Sequence, residues 1–331
     1  MKEITITTNK MASAVAPGWH IWGWEVPVYL FLGGLTAGIM VVAAAMILKR
    51  RGDDFLVSTN KIILWAPLLI SLGMGALFLD LTHKLYVWRF YTAFRVTSVM
   101  SWGSWILLVV YPVTILMILG TLRRGYLETY TWLEDRFSSY TTLWSWFERA
   151  ILFAEKKLLL WARIALPVGI GLGVYTGILL SSVGGARPVW NSAILGPLFL
   201  VSGLSTGVAL ILLFAKDKEH HYLGRVDMIF IVTELFVLAL FFIGLMTGPA
   251  AGKEAARLFF GGSLITPVFW IMVVFFGLLL PLFLEFLESR GRDIPRWLAP
   301  VLVLGGGLIL RFVLVQACCL LRELSIESLL Y

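Results

Sequence analysis

Nine polar side chains stand out against an otherwise apolar background. His20, Glu25, Asp80, His83, Tyr175, Arg187 and Asn191 lie at or just inside the ends of apolar stretches, while Glu234 and Arg311 fall well within them. Histidine and carboxylate exchange protons near neutral pH, and a His or Tyr hydrogen-bonded to a carboxylate makes a device for delivering them. Placing an ionisable group in hydrocarbon costs about 2.5–3.5 kcal/mol on insertion scales, so each such group needs a partner or a role. His20 precedes Glu25 by about one turn. Asp80 and His83 are three apart, which puts them on one helix face if the helix runs on. Tyr175 lies about two turns inside its stretch, roughly 10 Å from the end. A plainer reading stands beside each of these. A histidine at a water–lipid boundary is solvated without needing a function, and Asp80 can pair with Arg89 or cap a helix end. Arg187 can anchor to a headgroup or hold a carboxylate, and Tyr175 can simply pack. Arg163 is close enough to a stretch end to snorkel, but Glu234 and Arg311 are not. They need partners, and for Arg311 these include Asp80 or Glu25; a proton route through Glu234 and a structural pair are both open.

The elements that position these groups follow from composition. Only 14% of the 331 residues are charged and 59% are hydrophobic, with a mean hydropathy of +0.88. A soluble domain carries about 25% charge to solvate its surface. Apolar windows predict eight transmembrane helices near 25–48, 61–82, 101–122, 158–182, 191–215, 227–248, 264–287 and 297–320. Each is long enough to cross about 30 Å of hydrocarbon at 1.5 Å per residue. Trp19, Trp22, Trp24, Trp102, Trp190 and Trp297 fall at predicted span ends, as an interfacial belt requires. The fold class is therefore an all-α integral membrane protein.

The formal net charge of +7 sits in loops between spans, which suits a lipid bilayer with anionic headgroups and not nucleic acid. Lys and Arg are richer on the side holding Lys49–Arg51, Arg123, Arg124, Lys156 and Lys157 than on the side of the N-terminus. By the positive-inside rule the richer side is cytoplasmic and both termini face outward. Residues 1–17 lack the pattern of a cleavable signal peptide, so the first span is expected to direct its own insertion. In the 123–157 connection Tyr126, Leu127, Tyr130, Leu133, Phe137, Trp144, Trp146 and Phe147 alternate with charges. That pattern predicts an amphipathic helix lying in the cytoplasmic interface, with a docking face for another subunit as the lesser alternative. Cys318 and Cys319 are adjacent and match no zinc or Fe–S spacing, so no metal centre is expected in this chain. The four histidines, His20, His83, His220 and His221, lie outside or at the ends of spans. An integral haem, which needs axial ligands facing one another inside a bundle, is not expected, and His220–His221 read as solvated.

Phe31–Gly38 in the first span parallels Leu200–Gly207 in the fifth, and Trp105 parallels Trp270. Gly34/Gly38 and Gly203/Gly207 share the small-xxx-small spacing that lets helices approach closely in lipid. The inferred organisation is an outer segment 1–24, a four-helix bundle over 25–182 interrupted by the 123–157 insertion, a second bundle over 191–320 and an outer tail 321–331.

Tyr29-Leu30-Phe31-Leu32-Gly33-Gly34-Leu35-Thr36-Ala37-Gly38, Leu79-Asp80-Leu81-Thr82-His83, Trp88-Arg89-Phe90 and Ser98-Val99-Met100-Ser101-Trp102-Gly103-Ser104-Trp105 resemble the polysulfide reductase NrfD/PsrC family. So do Ala186-Arg187-Pro188-Val189-Trp190-Asn191-Ser192 and Gly306-Gly307-Leu308-Ile309-Leu310-Arg311-Phe312. The resemblance covers nearly the whole chain in order. It implies two four-helix bundles in a membrane anchor subunit that binds quinone (menaquinone or ubiquinone). It also implies a ferredoxin-like Fe–S partner on the outer face and a molybdopterin or multihaem catalytic subunit beyond it. A quinone headgroup offers two carbonyl acceptors and its reduction needs two protons. On that basis Asp80 and His83 are expected to carry the proton chemistry, with His20, Glu25, Tyr175, Arg187 and Asn191 around the headgroup. The alternative from another class is a secondary transporter or ion-translocating module built on the paired bundles and Glu234.

Overall fold

The computed structural model describes residues 22–50, 55–81, 83–137, 141–182, 189–190, 193–263 and 265–330. His20, Arg187 and Asn191 lie outside the described residues. Among the described residues the regular structure is helical with no strand, and eight helices are long and apolar enough to cross a membrane. They are α1 Glu25–Leu48, α2 Val57–Asp80, α3 Val99–Gly125, α6 Leu158–Ser182, α7 Leu195–Leu212, α8 Asp217–Thr247, α10 Ile265–Ser289 and α11 Leu298–Leu330, of which Leu298–Ala317 is the apolar span. Between α3 and α6 run α4 Leu127–Phe137 and α5 Thr141–Lys156, and α9 Ala250–Phe260 lies between α8 and α10.

Leucine, valine, isoleucine and phenylalanine turned outward from α2, α3, α8 and α10 remain exposed, Leu68, Leu72, Val232, Phe236, Ile243 and Phe275 among them. In water such a surface would aggregate, whereas in a bilayer it faces the solvent it matches. The chain is a multi-pass membrane protein. Serine and threonine within the spans return their hydroxyls to the preceding turn, as Thr36 does to Leu32 O at 2.8 Å and Thr114 to Val110 O at 2.8 Å. No buried hydroxyl donor is wasted at those positions.

The first span is the hub. It packs against α2, α6 and α7, and α7 in turn packs against α6, α8 and α11. The glycine repeat seen in the sequence explains how α1 and α7 meet. A Cβ on Gly38 would strike the Gly203 carbonyl, and one on Gly207 would meet Gly38 Cα at 2.7 Å. The two repeated motifs therefore lie against each other, with backbone touching backbone. At the end of the bundle where α1 finishes, Glu219 of α8 accepts hydrogen bonds from the backbone N–H groups of Val57 (3.2 Å) and Ser58 (2.5 Å). A carboxylate at a helix start satisfies donors that the helix itself cannot.

The connection after α3 is two helices and not one. Arg123 fastens it, donating to the Tyr130 hydroxyl and to Glu148, each at 3.0 Å. Trp132, Trp146 and Phe153 stay exposed along its length. This end of the molecule is called the insertion face below, and the opposite end, where α1 begins, the N-terminal face.

Two further features depart from the sequence reading. Trp190 is fully buried, stacked on Trp22 at 4.9 Å and donating its Nε1–H to Leu314 O at 2.8 Å, so it is not part of an interfacial belt. Trp24 and Trp297 are exposed as expected. The helix α9 occupies the connection between the sixth and seventh spans, where no element is predicted. It packs on α8 and α10 through a cluster of Phe242, Phe259, Phe260, Phe269 and Trp270. Trp270 also donates to the Phe259 carbonyl at 2.8 Å, and Trp105 meets Phe94 edge-on at 5.1 Å.

Candidate functional site

Near the N-terminal face, α1, α2, α3 and α6 leave a cavity of about 130 Å³. Its walls are mostly apolar, from Trp22, Val26, Met74, Leu77, Leu107 and Leu179, with Tyr29, Asp80, Tyr91, Ser104 and Tyr175 as the polar elements. Tyr29 follows Glu25 by four residues, so helix periodicity turns it inward from the same face. The hydroxyls of Tyr175 and Tyr91 are within electrostatic reach of the Tyr29 hydroxyl, so three phenols converge on one space. Tyr175 is held there by an absence: a Cβ on Gly103 would occupy the place of its hydroxyl. Ser104 is anchored to Phe90 O at 2.6 Å and Ser101 to Ala93 O at 3.0 Å, which ties the 83–98 connection to the head of α3. Tyr91 sits in that connection outside the spans. Burial pushes its phenol up, with Tyr111 adding to the effect, so it keeps its proton as a donor.

The helix that would put Asp80 and His83 on one face does not run on between them. The helix α2 ends at Asp80 because Leu81 is extended (ψ 124°), and His83 leaves in another direction. Asp80 stays at the cavity wall, within electrostatic reach of half-buried Glu25. His83 instead lines a second, outer cavity of about 450 Å³ with Tyr86, Arg89 and Arg95. The two cavities share Leu81, Phe90 and Met100 as walls, so they adjoin. Arg89 lies over the rings of Tyr86 at 4.5 Å and Trp88 at 5.7 Å, and among the described residues no ion pair joins it to Asp80.

In the other half, Arg311 is fully buried. It donates to Ser202 Oγ at 2.5 Å, Gly307 O at 2.9 Å and Phe199 O at 3.4 Å, and its guanidinium lies 5.1 Å from the Phe199 ring centroid. Its electrostatic partner is Glu234, and neither Asp80 nor Glu25 is among the partners. The helix α8 starts at Asp217, ten residues before the predicted span, so Glu234 lies roughly 25 Å along it and at Arg311's depth. The same early start draws His220 inside. It is 4% exposed and faces Glu288 at 3.2 Å, where a solvated histidine was expected. Asp227 and Glu285 are also buried, and sequence reasoning passed over both. Among the described residues no group of three or more His, Cys, Asp or Glu is arranged to hold a metal ion.

The family model for "Polysulphide reductase, NrfD" matches residues 10–321. The chain belongs to the polysulphide reductase NrfD family. A polysulfide reductase chain of Wolinella succinogenes is 29% identical over 313 residues, covering 90% of this chain and 94% of that protein. Protein NrfD of Escherichia coli is 30% identical over 319 residues, with the same shares covered. A selenate reductase subunit of Mesobacillus selenatarsenatis is 26% identical over 331 residues, covering 92% of this chain and 75% of that protein. Membership in the NrfD family thus spans both halves of the molecule, the tyrosine cavity and the buried charges alike.

Proposed function

We propose that this chain is the quinone-reactive membrane subunit of a respiratory reductase complex, built as two four-helix units. The observation that carries the reading is the N-terminal-face cavity, an apolar slot with three convergent phenols and a carboxylate at its wall. Apolar walls with a few placed polar groups are what a neutral, tailed ring requires. Phenol O–H groups suit its carbonyl acceptors, and the surrounding lipid suits its tail. Menaquinone and ubiquinone share this chemistry, and the bound quinone supplies a two-electron, two-proton couple. Tyr29, Tyr91 and Tyr175 would donate hydrogen bonds and orient the ring. Asp80, with Glu25 behind it, would hold or pass a proton, and His83 would connect the outer cavity to the same route. His20, Arg187 and Asn191 belong to the same N-terminal face by sequence and are proposed for this neighbourhood.

The names of two relatives, one a polysulfide reductase chain and the other a selenate reductase subunit, support a place among other subunits. The inferred neighbours are a ferredoxin-like Fe–S subunit on the outer face and, beyond it, a molybdopterin or multihaem catalytic subunit. The distribution of Lys and Arg supports an inner-membrane setting with the insertion face in the cytoplasm. Glu234 and Arg311, buried in the second half, support coupling of turnover to proton movement. Alanine at Asp80 and at His83 is expected to abolish quinone-coupled turnover of the assembled complex while leaving its subunits associated. Turnover retained in both variants would remove them from the assignment.

A further inference from the structure

Seven buried side-chain atoms of the described residues lack a hydrogen-bond partner, and five of them belong to one row: His220 Nε2, Asp227 Oδ2, both Glu285 carboxyl oxygens and Arg311 Nε. Unmet buried polar groups are rare in folded proteins, and a cluster of them needs a physical explanation. The row has a simple geometric origin. His220, Asp227 and Glu234 are spaced by seven along α8, so they share a face in steps of about 10.5 Å. Opposite them, α10 supplies Glu285 and Glu288, α11 supplies Arg311, and α7 supplies the hydroxyls of Ser202 and Ser205 but no ionisable side chain.

The charges do not balance along this row. Glu234 has Arg311, and Glu288 lies 3.2 Å from His220 Nδ1, which balances it only when the imidazole carries a proton on both nitrogens. Asp227 accepts from Ser205 Oγ at 2.7 Å and faces Glu285, with Glu234 as its next charged neighbour. Glu285 faces Asp227 and Glu288. Among the described residues no cation stands opposite Asp227 or Glu285. Two facing carboxylates in a low-dielectric interior do not both stay ionised; the paired aspartates of aspartic proteases resolve the same conflict by sharing one proton. Here a shared proton would remove one buried charge and satisfy acceptors that are otherwise unmet. An open cavity of about 690 Å³ is lined by His220 and Glu288 together with Asp217, Arg225 and Arg292.

We propose that Asp227 and Glu285 form a proton-holding carboxyl pair, filled from the insertion face through His220 and Glu288 and continued toward mid-span by Glu234. This deepens the proton-coupling half of the function proposed above and does not depend on its quinone half. One proton enters from water at the His220–Glu288 mouth, rests between the two carboxyl groups, and leaves without any bond to carbon or sulfur being made. The ligand is a proton and not a multivalent cation, consistent with the lack of a metal-ligand group among the described residues.

The test uses the purified full chain in mild detergent with dicyclohexylcarbodiimide, an apolar reagent that modifies protonated carboxyl groups. Peptide mass spectrometry reads which carboxyl is modified and how fast, across pH, with sodium or choline as the salt. The expected result is an adduct on Asp227 or Glu285 whose rate falls about tenfold per pH unit above its midpoint and is the same in both salts. Adducts elsewhere but on neither of these residues would overturn the proposal. Protection by sodium would also overturn it, making the pair a monovalent-cation site. Quinone extracted from the same preparation is counted separately, so loss of the quinone reading and loss of the carboxyl pair are distinguishable.

Discussion

The two halves of this membrane protein handle polarity in opposite ways. At the N-terminal face, α1, α2, α3 and α6 enclose open space walled by apolar groups, and the polar groups reaching into it are largely uncharged phenols. In the second half, α8, α10 and α11 bury Asp227, Glu234, Glu285 and Arg311, with Phe199 of α7 against the Arg311 guanidinium. The first arrangement suits a neutral guest, which needs volume and a few hydrogen-bond donors. The second suits a charge in transit, which needs a succession of groups able to take it. One membrane chain can thus hold two regions suited to different kinds of chemistry, with α1 and α7 in backbone contact at their glycines.

The largest expected effect comes from unbalancing the charged half. Arg311→Met leaves Glu234 buried without its cation and is expected to cost about 3–5 kcal/mol of stability. Adding Glu234→Gln to that variant should restore most of the loss, as thermal unfolding in detergent would show. An equal loss in both variants would mean that Arg311 acts through its bonds to Ser202 and Gly307 instead.

An intermediate effect is expected in the apolar half. Gly103→Ala places a methyl group where the Tyr175 hydroxyl lies, so quinone affinity should fall more than tenfold, about 1.4 kcal/mol or more. Carbodiimide labelling of Asp227 and Glu285 should be unchanged in that variant, which is what separates the two regions. Tyr175→Phe removes one hydrogen-bond donor without changing the cavity walls. It should weaken quinone binding by about 1 kcal/mol, roughly fivefold, as measured by titration into the purified chain.

The smallest expected effect is a null. Because burial raises the Tyr91 phenol, that donor gives up its proton only at higher pH than an exposed tyrosine does. Quinone binding should therefore be flat over the alkaline range in which an exposed tyrosine would begin to ionise. A decline tracking the ordinary value would place Tyr91 in free contact with water.

Span number and approximate position were legible in the sequence because each span is a long uninterrupted apolar run. Helix ends were less legible, and the missed site residues trace to them. Starting the sixth span at 227 put Asp227 at a water boundary, where a carboxylate needs no explanation. The observed start at Asp217 puts it almost three turns inside the helix. The seven-residue spacing from Asp227 to Glu234 was available as a signal, whereas the approach of Glu285 from α10 is tertiary information. Tyr29 could have been found from its four-residue offset to Glu25. Tyr91 could not, since the 83–98 connection has no regular period and its fold depends on the hydroxyls of Ser101 and Ser104. The helix does not run on from Asp80 to His83 because Leu81 is extended, which nothing in the flanking residues announces.

The most direct test of the central claim is the quinone content of the tagged chain, purified in mild detergent with whatever subunits accompany it, in wild type and in Gly103→Ala. Solvent extraction and mass spectrometry would give moles of quinone per mole of chain, with size-exclusion chromatography confirming that both preparations are intact. A quinone site beside Tyr175 predicts stoichiometric quinone in the wild type and its loss from an otherwise intact variant. No quinone in the wild type, or equal amounts in both, would contradict it.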